Sequence, residues 1–373
     1  MVEQHNIVDM PTEPLSEEQV SRLLSDPQPL TAYGCSMNTI QVSDLFDRYR
    51  DLGFLYPEKM RLLQPHISRV ADNWERLQQA GERLIRIGTY ESSGQRFASG
   101  VAWRSTTQGW VFQHLVSNSP LASCCMGLYG LANVMRDEDI HSIQVWFRPT
   151  NKYMSKVYGS FVSADPKTAA MPSYTLLAVP ISSLRDHGRS HDVNFYDQSD
   201  KELLRALVYQ TRGALFWQAE AFDADDVVLD RVDAQYRMVG LRRYRQVLVL
   251  HDHKRSAIQG AALMYRAPLG LNFSFLENRC DLLIDPHLGV VESNRVSLAL
   301  LQRVAECLSD DELAFLPVTV DAKQAKLFRP EQLLRVQEYN QFIVVREAFT
   351  RFYHHLAQRY EPIVQAELEM DAS

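Results

Sequence analysis

The sequence predicts a mixed α/β protein of two domains, each a mixed twisted sheet flanked by helices, with a helical extension at the N-terminus. Three observations carry this reading. The chain has 373 residues, 46% of them hydrophobic, which is enough for two domains that each bury a core. Residues 110–161 run strand, helix, strand, helix. The same order of elements then returns in the C-terminal half, as a duplicated fold would give. Sixteen Gly and sixteen Pro are modest counts for this length, so most of the chain reads as folded rather than linker.

Residues 1–30, rich in Glu, Pro, Ser and Gln, read as a mobile arm with one short helix at 16–24. From Val42 the apolar residues Leu45, Phe46, Tyr49, Leu52, Ile67, Val70 and Trp74 fall at helical spacing, and Pro57 and Pro65 divide the run. Strands at 82–89 and 98–105 follow, joined by a polar turn at 91–95. The apolar strand 110–117 stops at Asn118-Ser119-Pro120, and 121–135 reads as a buried helix. After the acidic turn Asp137-Glu138-Asp139 comes a strand at 141–148. Pro149-Thr150-Asn151 then opens a short amphipathic helix, 152–158, that closes on Gly159-Ser160-Phe161. A strand at 174–180, a polar stretch at 182–191 and helices at 200–207 and near 213–222 complete the first half and begin the second.

In the second half, 244–252 and 258–266 read as a hairpin, with Gly260 placed much as Gly100 is in the first. The strand 280–284 ends at Asp285-Pro286, the helix 295–308 is amphipathic, and 315–320 is the next strand. Residues 321–328 then take the place of 151–158. A late strand at 339–346 and a closing helix at 347–360 end the chain. Corresponding points are about 160 residues apart at the glycines and about 170 apart at Tyr158 and Phe328. The expected division is an arm at 1–30, a first domain at 31–199 and a second at 200–373.

Asn151 is followed seven residues on by Tyr158, and then by Gly159 and Phe161. That pattern, at the end of a strand, helix, strand, helix unit, resembles the end of the core in the GNAT superfamily of acyltransferases. The resemblance extends by element order to both halves and implies a tandem GNAT-like chain. It implies acyl-CoA as co-substrate and an acyl group moved from its thioester to an amine on a small-molecule or protein acceptor. Tyr158 matches the general acid that protonates the leaving thiolate. His114 lies on the strand that splays to admit the pantetheine arm, where a neutral imidazole could take the amine proton. Val116, Ser117, Ser123 and Asn151 fall at cofactor-binding positions.

Each of these residues also has a plain structural reading. Tyr158 would serve as a packed aromatic, His114 as a satisfied buried histidine, and Asn151 as a helix N-cap. The chain departs from the family at one point, because neither 120–127 nor 287–295 holds the spaced glycines whose backbone amides cradle the CoA pyrophosphate. In the second half Phe328 replaces Tyr158 and has no hydroxyl to donate, so that half is expected to be a scaffold or binding domain. The alternative function is a catalytically silent tandem that binds a small ligand or protein partner and regulates.

Charge and composition narrow the classes further. A net charge of −7 argues against broad electrostatic binding to nucleic acid. Five cysteines without metal-type spacing, and a His251-Asp252-His253 pair with no third ligand nearby, give no metal site. No apolar run reaches the length of a membrane span and the first residues lack a signal-peptide pattern, so a cytoplasmic location is expected.

Overall fold

A computed structural model describes residues 34–91, 96–185, 193–224, 226–308, 313–328 and 333–372. The expected arm at 1–30 and most of the turn at 91–95 lie outside them. The chain divides into two compact units. The first runs up to Val145 and adds Tyr153–Ala169 and the chain from Val344 on, and the second comprises Trp146–Lys152 and Ala170–Ile343.

The first unit opens with strand β1 (Cys35–Met37) and helices α1 (Val42–Asp51), α2 (Pro57–Leu63) and α3 (Ile67–Gln79). Pro57 starts α2 at its first turn, where a missing amide hydrogen costs nothing, and Pro65 sits in the 3-10 turn that separates α2 from α3. Strands β2 (Ile85–Glu91), β3 (Phe97–Thr106) and β4 (Gly109–Ser117) follow, then helix α4 (Pro120–Met135), strand β5 (Ser142–Phe147) and helix α5 (Lys152–Ala164). Strands β1 to β4 pair antiparallel in sequence order, and β5 joins β4 in parallel. The helix of α4 is buried on nearly every side. Met126 seats on the sheet where Gly88 and Gly100 leave room, and a Cβ on Gly88 would fall 2.3 Å from the Met126 methyl.

The second unit begins with a two-residue strand β6 (Ala169–Ala170) and β7 (Ser173–Pro180). Next come α6 (Ile181–Arg185), β8 (Val193–Phe195), α7 (Lys201–Thr211), α8 (Ala214–Ala219), α9 (Asp230–Arg237), β9 (Tyr244–His251), β10 (Ile258–Arg266) and β11 (Cys280–Ile284). The unit closes with α10 (Val290–Cys307), β12 (Phe315–Val320), α11 (Ala322–Ala325) and β13 (Arg335–Val345). Its sheet order is β8-β9-β10-β11-β12-β7-β13, with β11 and β12 parallel and the other pairs antiparallel. Alternation along β10 sends Ala262 and Met264 toward α10, and Ala261, Leu263 and Tyr265 toward α7 and α8. The fold is thus mixed α/β, and each unit places three successive antiparallel strands beside a parallel partner reached through a helix.

The last helix, α12 (Phe349–Ala372), belongs to the first unit and packs on α4. Arg346 fixes its start by donating to the carbonyls of Asp137 and Ile140, both at 2.8 Å. Several elements differ from the sequence expectation. Helix α5 does not close at Gly159 but continues to Ala164, because Val157, Tyr158 and Phe161 form one buried face. Helix α11 is a single turn held by the Asp321 capping box, shorter than the 321–328 segment expected. The polar stretch after β7 starts with α6, and β1, β8 and α9 are additional elements.

Candidate active site

Strand β4 carries the irregularity from which a site can be built. Its parallel ladder with β5 runs from Gly109↔Ser142 to Phe112↔Val145 and ends there, although β4 continues to Ser117. On its other side, Ser99 and Val101 of β3 pair with Val116 and Gln113, so β4 spends three steps where β3 spends two. The extra residue is a β-bulge, and His114 absorbs it with φ at 57°. A left-handed conformation in a residue other than glycine costs energy and clusters at functional positions.

The bulge turns His114 away from α4 and toward the helical layer α1 to α3. Its ring lies 5.4 Å from that of Phe54, 5.6 Å from Trp74 and Trp103, and 6.2 Å from Tyr49. This aromatic box was not visible in the sequence as a unit, because its members come from two helices, a loop and a strand. Burial, and then the Lys59 ammonium, push the His114 imidazole well below its ordinary value, so it is neutral at pH 7. Lys59 is itself buried, with its Nζ 3.2 Å from the Phe54 carbonyl and 3.7 Å from the centre of the Phe54 ring.

The turn from β4 into α4 satisfies itself. Ser117 Oγ lies 3.0 Å from the Phe97 carbonyl and 2.6 Å from the Ser119 carbonyl, which share its single hydrogen, and it accepts from the Ser119 amide (3.0 Å). Asn118 Oδ1 accepts from the Phe97 amide at 2.7 Å, and Ser119 Oγ caps the helix by accepting from the Ala122 amide at 3.3 Å. Two amides at the start of α4, those of Ser119 and Ala122, are therefore occupied by the protein's own hydroxyls. Val116 is buried, and Ser123 is half-buried in the first turn of α4. Asn151 is exposed at the residue before α5, with its amide on the Arg148 carbonyl at 2.9 Å.

Tyr158 is buried on α5 with its ring 5.8 Å from Phe352 of α12. Burial, and then the neighbouring Tyr153, push its hydroxyl up, so the phenol keeps its proton through neutral pH. Tyr153 stacks on Tyr360 at 6.4 Å, and a Cβ on Gly127 of α4 would lie 3.3 Å from the Tyr360 hydroxyl. Sequence reasoning missed Tyr153 and Tyr360; the clue available was the aromatic spacing in the closing helix. The structure does not bring His114 and Tyr158 together: one faces α1 to α3, the other α12.

The second unit repeats the ladder in shorter form. Only Cys280↔Val318 and Asp281↔Thr319 pair between β11 and β12. Gly289 is the N-cap of α10, with no side-chain cap bond. Phe328 packs on the core formed by β10, β11 and α10. Among the described residues there is no group of three His, Cys, Asp or Glu that could hold a metal ion. No helix among them is long and apolar enough to cross a membrane.

No family model and no curated protein matches the sequence. Among solved structures, the chain is similar to a Drosophila protein at 10% identity, over 84% of this chain and 98% of that one, with a TM-score of 0.41. It is similar to a tandem GNAT protein from the clavulanic acid biosynthesis pathway at 10% identity, over 84% and 98%, with a TM-score of 0.38. It is similar to a GCN5-related N-acetyltransferase from Sphaerobacter thermophilus at 8% identity, over 73% and 85%, with a TM-score of 0.37.

Proposed function

We propose that the first unit is an acyltransferase that moves an acyl group from acyl-CoA to an amine. The observation that carries this reading is the β4–β5 ladder ending at Phe112↔Val145 beside the bulge at His114. Backbone groups released from a ladder can bond an extended amide-bearing arm such as pantetheine. The amine nitrogen would attack the thioester carbonyl, the tetrahedral intermediate would collapse with cleavage of the carbon–sulfur bond, and the proton shed by the nitrogen would pass through solvent to restore the Tyr158 phenol. Tyr158 is assigned as the acid that protonates the departing thiolate, a role that its protonated state suits. His114, neutral and buried, is assigned to hold the bulge and shape the opening, and its lowered basicity makes it a weak proton acceptor. Val116, Ser117, Ser123 and Asn151 are assigned to contact the cofactor. The acceptor is a small molecule or a protein amine, and the setting is cytoplasmic.

A second reading is favoured by one observation, the self-capped β4–α4 turn, where Ser117 and Ser119 occupy amides that a pyrophosphate would take. On that reading the chain is a silent GNAT-like regulator that binds a small ligand or a protein. Release of free CoA from acetyl-CoA in the presence of a panel of amines separates the two. The acyltransferase reading expects turnover that falls about 10²- to 10⁴-fold in Tyr158→Phe. No turnover with any amine favours the silent reading.

A further inference from the structure

The second unit buries an ionic network on the face of its sheet that meets α7 and α8. Arg245 Nη1 lies 3.2 Å from Glu220 Oε2, Arg279 Nη2 3.5 Å from Glu220 Oε1, and Arg279 Nε 2.9 Å from Asp281 Oδ1. Arg243 and Glu277 form a separate buried pair at 2.7 Å. Three guanidinium groups are thus matched by three carboxylates, and every one of the six side chains is at least nine-tenths buried.

Arg212, at the C-terminal end of α7, is a fourth cation in this neighbourhood. Among the described residues no carboxylate lies within ion-pair distance of it. Its Nη2 donates to the Thr319 carbonyl at 3.3 Å, and its guanidinium lies 3.8 Å from the centre of the Tyr174 ring. Arg212 as a whole residue is half-buried. Asp226, buried near Arg245 and with its carboxyl raised by burial, does not pair with it.

The acidic counterpart is Asp281. Its Oδ1 accepts from Arg279 Nε and from the Thr319 hydroxyl, while its Oδ2 has no hydrogen-bond partner among the described residues. The buried Tyr265 hydroxyl likewise has none. Asp281 and Thr319 are the last rung of the β11–β12 ladder, so Arg212, Thr319 and Asp281 meet where these two strands stop pairing. Arg212 and Asp281 attract one another across Thr319 without forming a direct ion pair, and the unfilled carboxylate oxygen is costly to desolvate. Side by side they complement a molecule that carries a carboxylate and an ammonium.

We propose that this is a binding site in the second unit for a small amino acid, with its carboxylate on Arg212 and its ammonium on Asp281 Oδ2. Arginine suits the carboxylate because its planar fork can donate two parallel bonds. Tyr174 walls the site beneath the guanidinium. The inference concerns the second unit and is independent of the acyl-transfer reading of the first.

The test is calorimetric titration of the native chain with each common L-amino acid, alongside its carboxamide, which keeps the ammonium and loses the carboxylate charge. The expected result is that one or a few amino acids bind, their carboxamides do not, and Arg212→Gln weakens binding about 10- to 100-fold. No binding by any amino acid overturns the proposal. So does equal binding of acid and carboxamide, or a folded Arg212→Gln chain that binds as tightly as the native one. If Arg212→Gln does not fold, the comparison of acid with carboxamide on the native chain decides.

Discussion

At the residue scale, His114 concentrates most of what is unusual in the first unit. It combines a left-handed backbone, complete enclosure by Phe54, Trp74, Trp103 and Tyr49, and a depressed basicity caused first by burial and then by Lys59. A base whose folded value lies below its unfolded value binds fewer protons when folded, so stability is full above the unfolded value near 6.5 and falls as the pH drops below it. Thermal unfolding between pH 6.5 and pH 5 should therefore show a loss of up to about 1.4 kcal/mol per pH unit. His114→Asn, which tolerates the left-handed backbone, should flatten that slope, and the remainder belongs to His355, which burial also lowers. An unchanged slope in the variant would remove His114 as its source. Ser119→Ala should lower stability by about 0.5–2 kcal/mol in urea unfolding, through loss of the α4 cap.

At the element scale, the strands and the helices that follow them were readable from hydrophobic periodicity, because their environments are set locally. The expected strands at 280–284 and 315–320 coincide with β11 and β12, and the expected hairpin is the β9–β10 pair. The bulge in β4 was not readable, since no glycine marks it and the register shift is imposed by pairing with β3. The length of α5 was missed because Gly159 reads as a stop, while burial of Tyr158 and Phe161 against α12 carries the helix through it. The glycines paired by the sequence comparison differ in what surrounds them. A Cβ on Gly260 would meet Val296 at 2.5 Å and Leu300 at 3.0 Å, whereas one on Gly100 would make ordinary contacts at 3.5 and 3.7 Å. Gly260→Ala should thus cost about 1–3 kcal/mol, because Val296 is stiff and cannot withdraw. Gly100→Ala should change stability by about 0.5 kcal/mol or less, and chemical denaturation of both variants checks the contrast.

At the scale of the whole molecule, duplication was legible as a repeated order of elements with little residue identity, and each unit has its own antiparallel run followed by a parallel partner. The candidate site was less legible. Tyr158 and His114 could be named from their positions, but their surroundings depend on contacts from helices far away in sequence, such as α12 for Tyr158 and α1 to α3 for His114. The ionic network of the second unit left only scattered charged residues in the sequence, since its members lie on different strands and helices.

The central claim is that acyl-CoA binds at the opening beside β4, and thermal unfolding of the full chain with increasing acetyl-CoA and a longer acyl-CoA tests it most directly. A ligand bound only by the folded protein at about 100 times its dissociation constant adds about 2.7 kcal/mol, so the midpoint should rise with concentration. The account predicts that rise in the native chain and an equal rise in Tyr158→Phe, which loses turnover but keeps the binding surface. A midpoint unmoved by any acyl-CoA would contradict it.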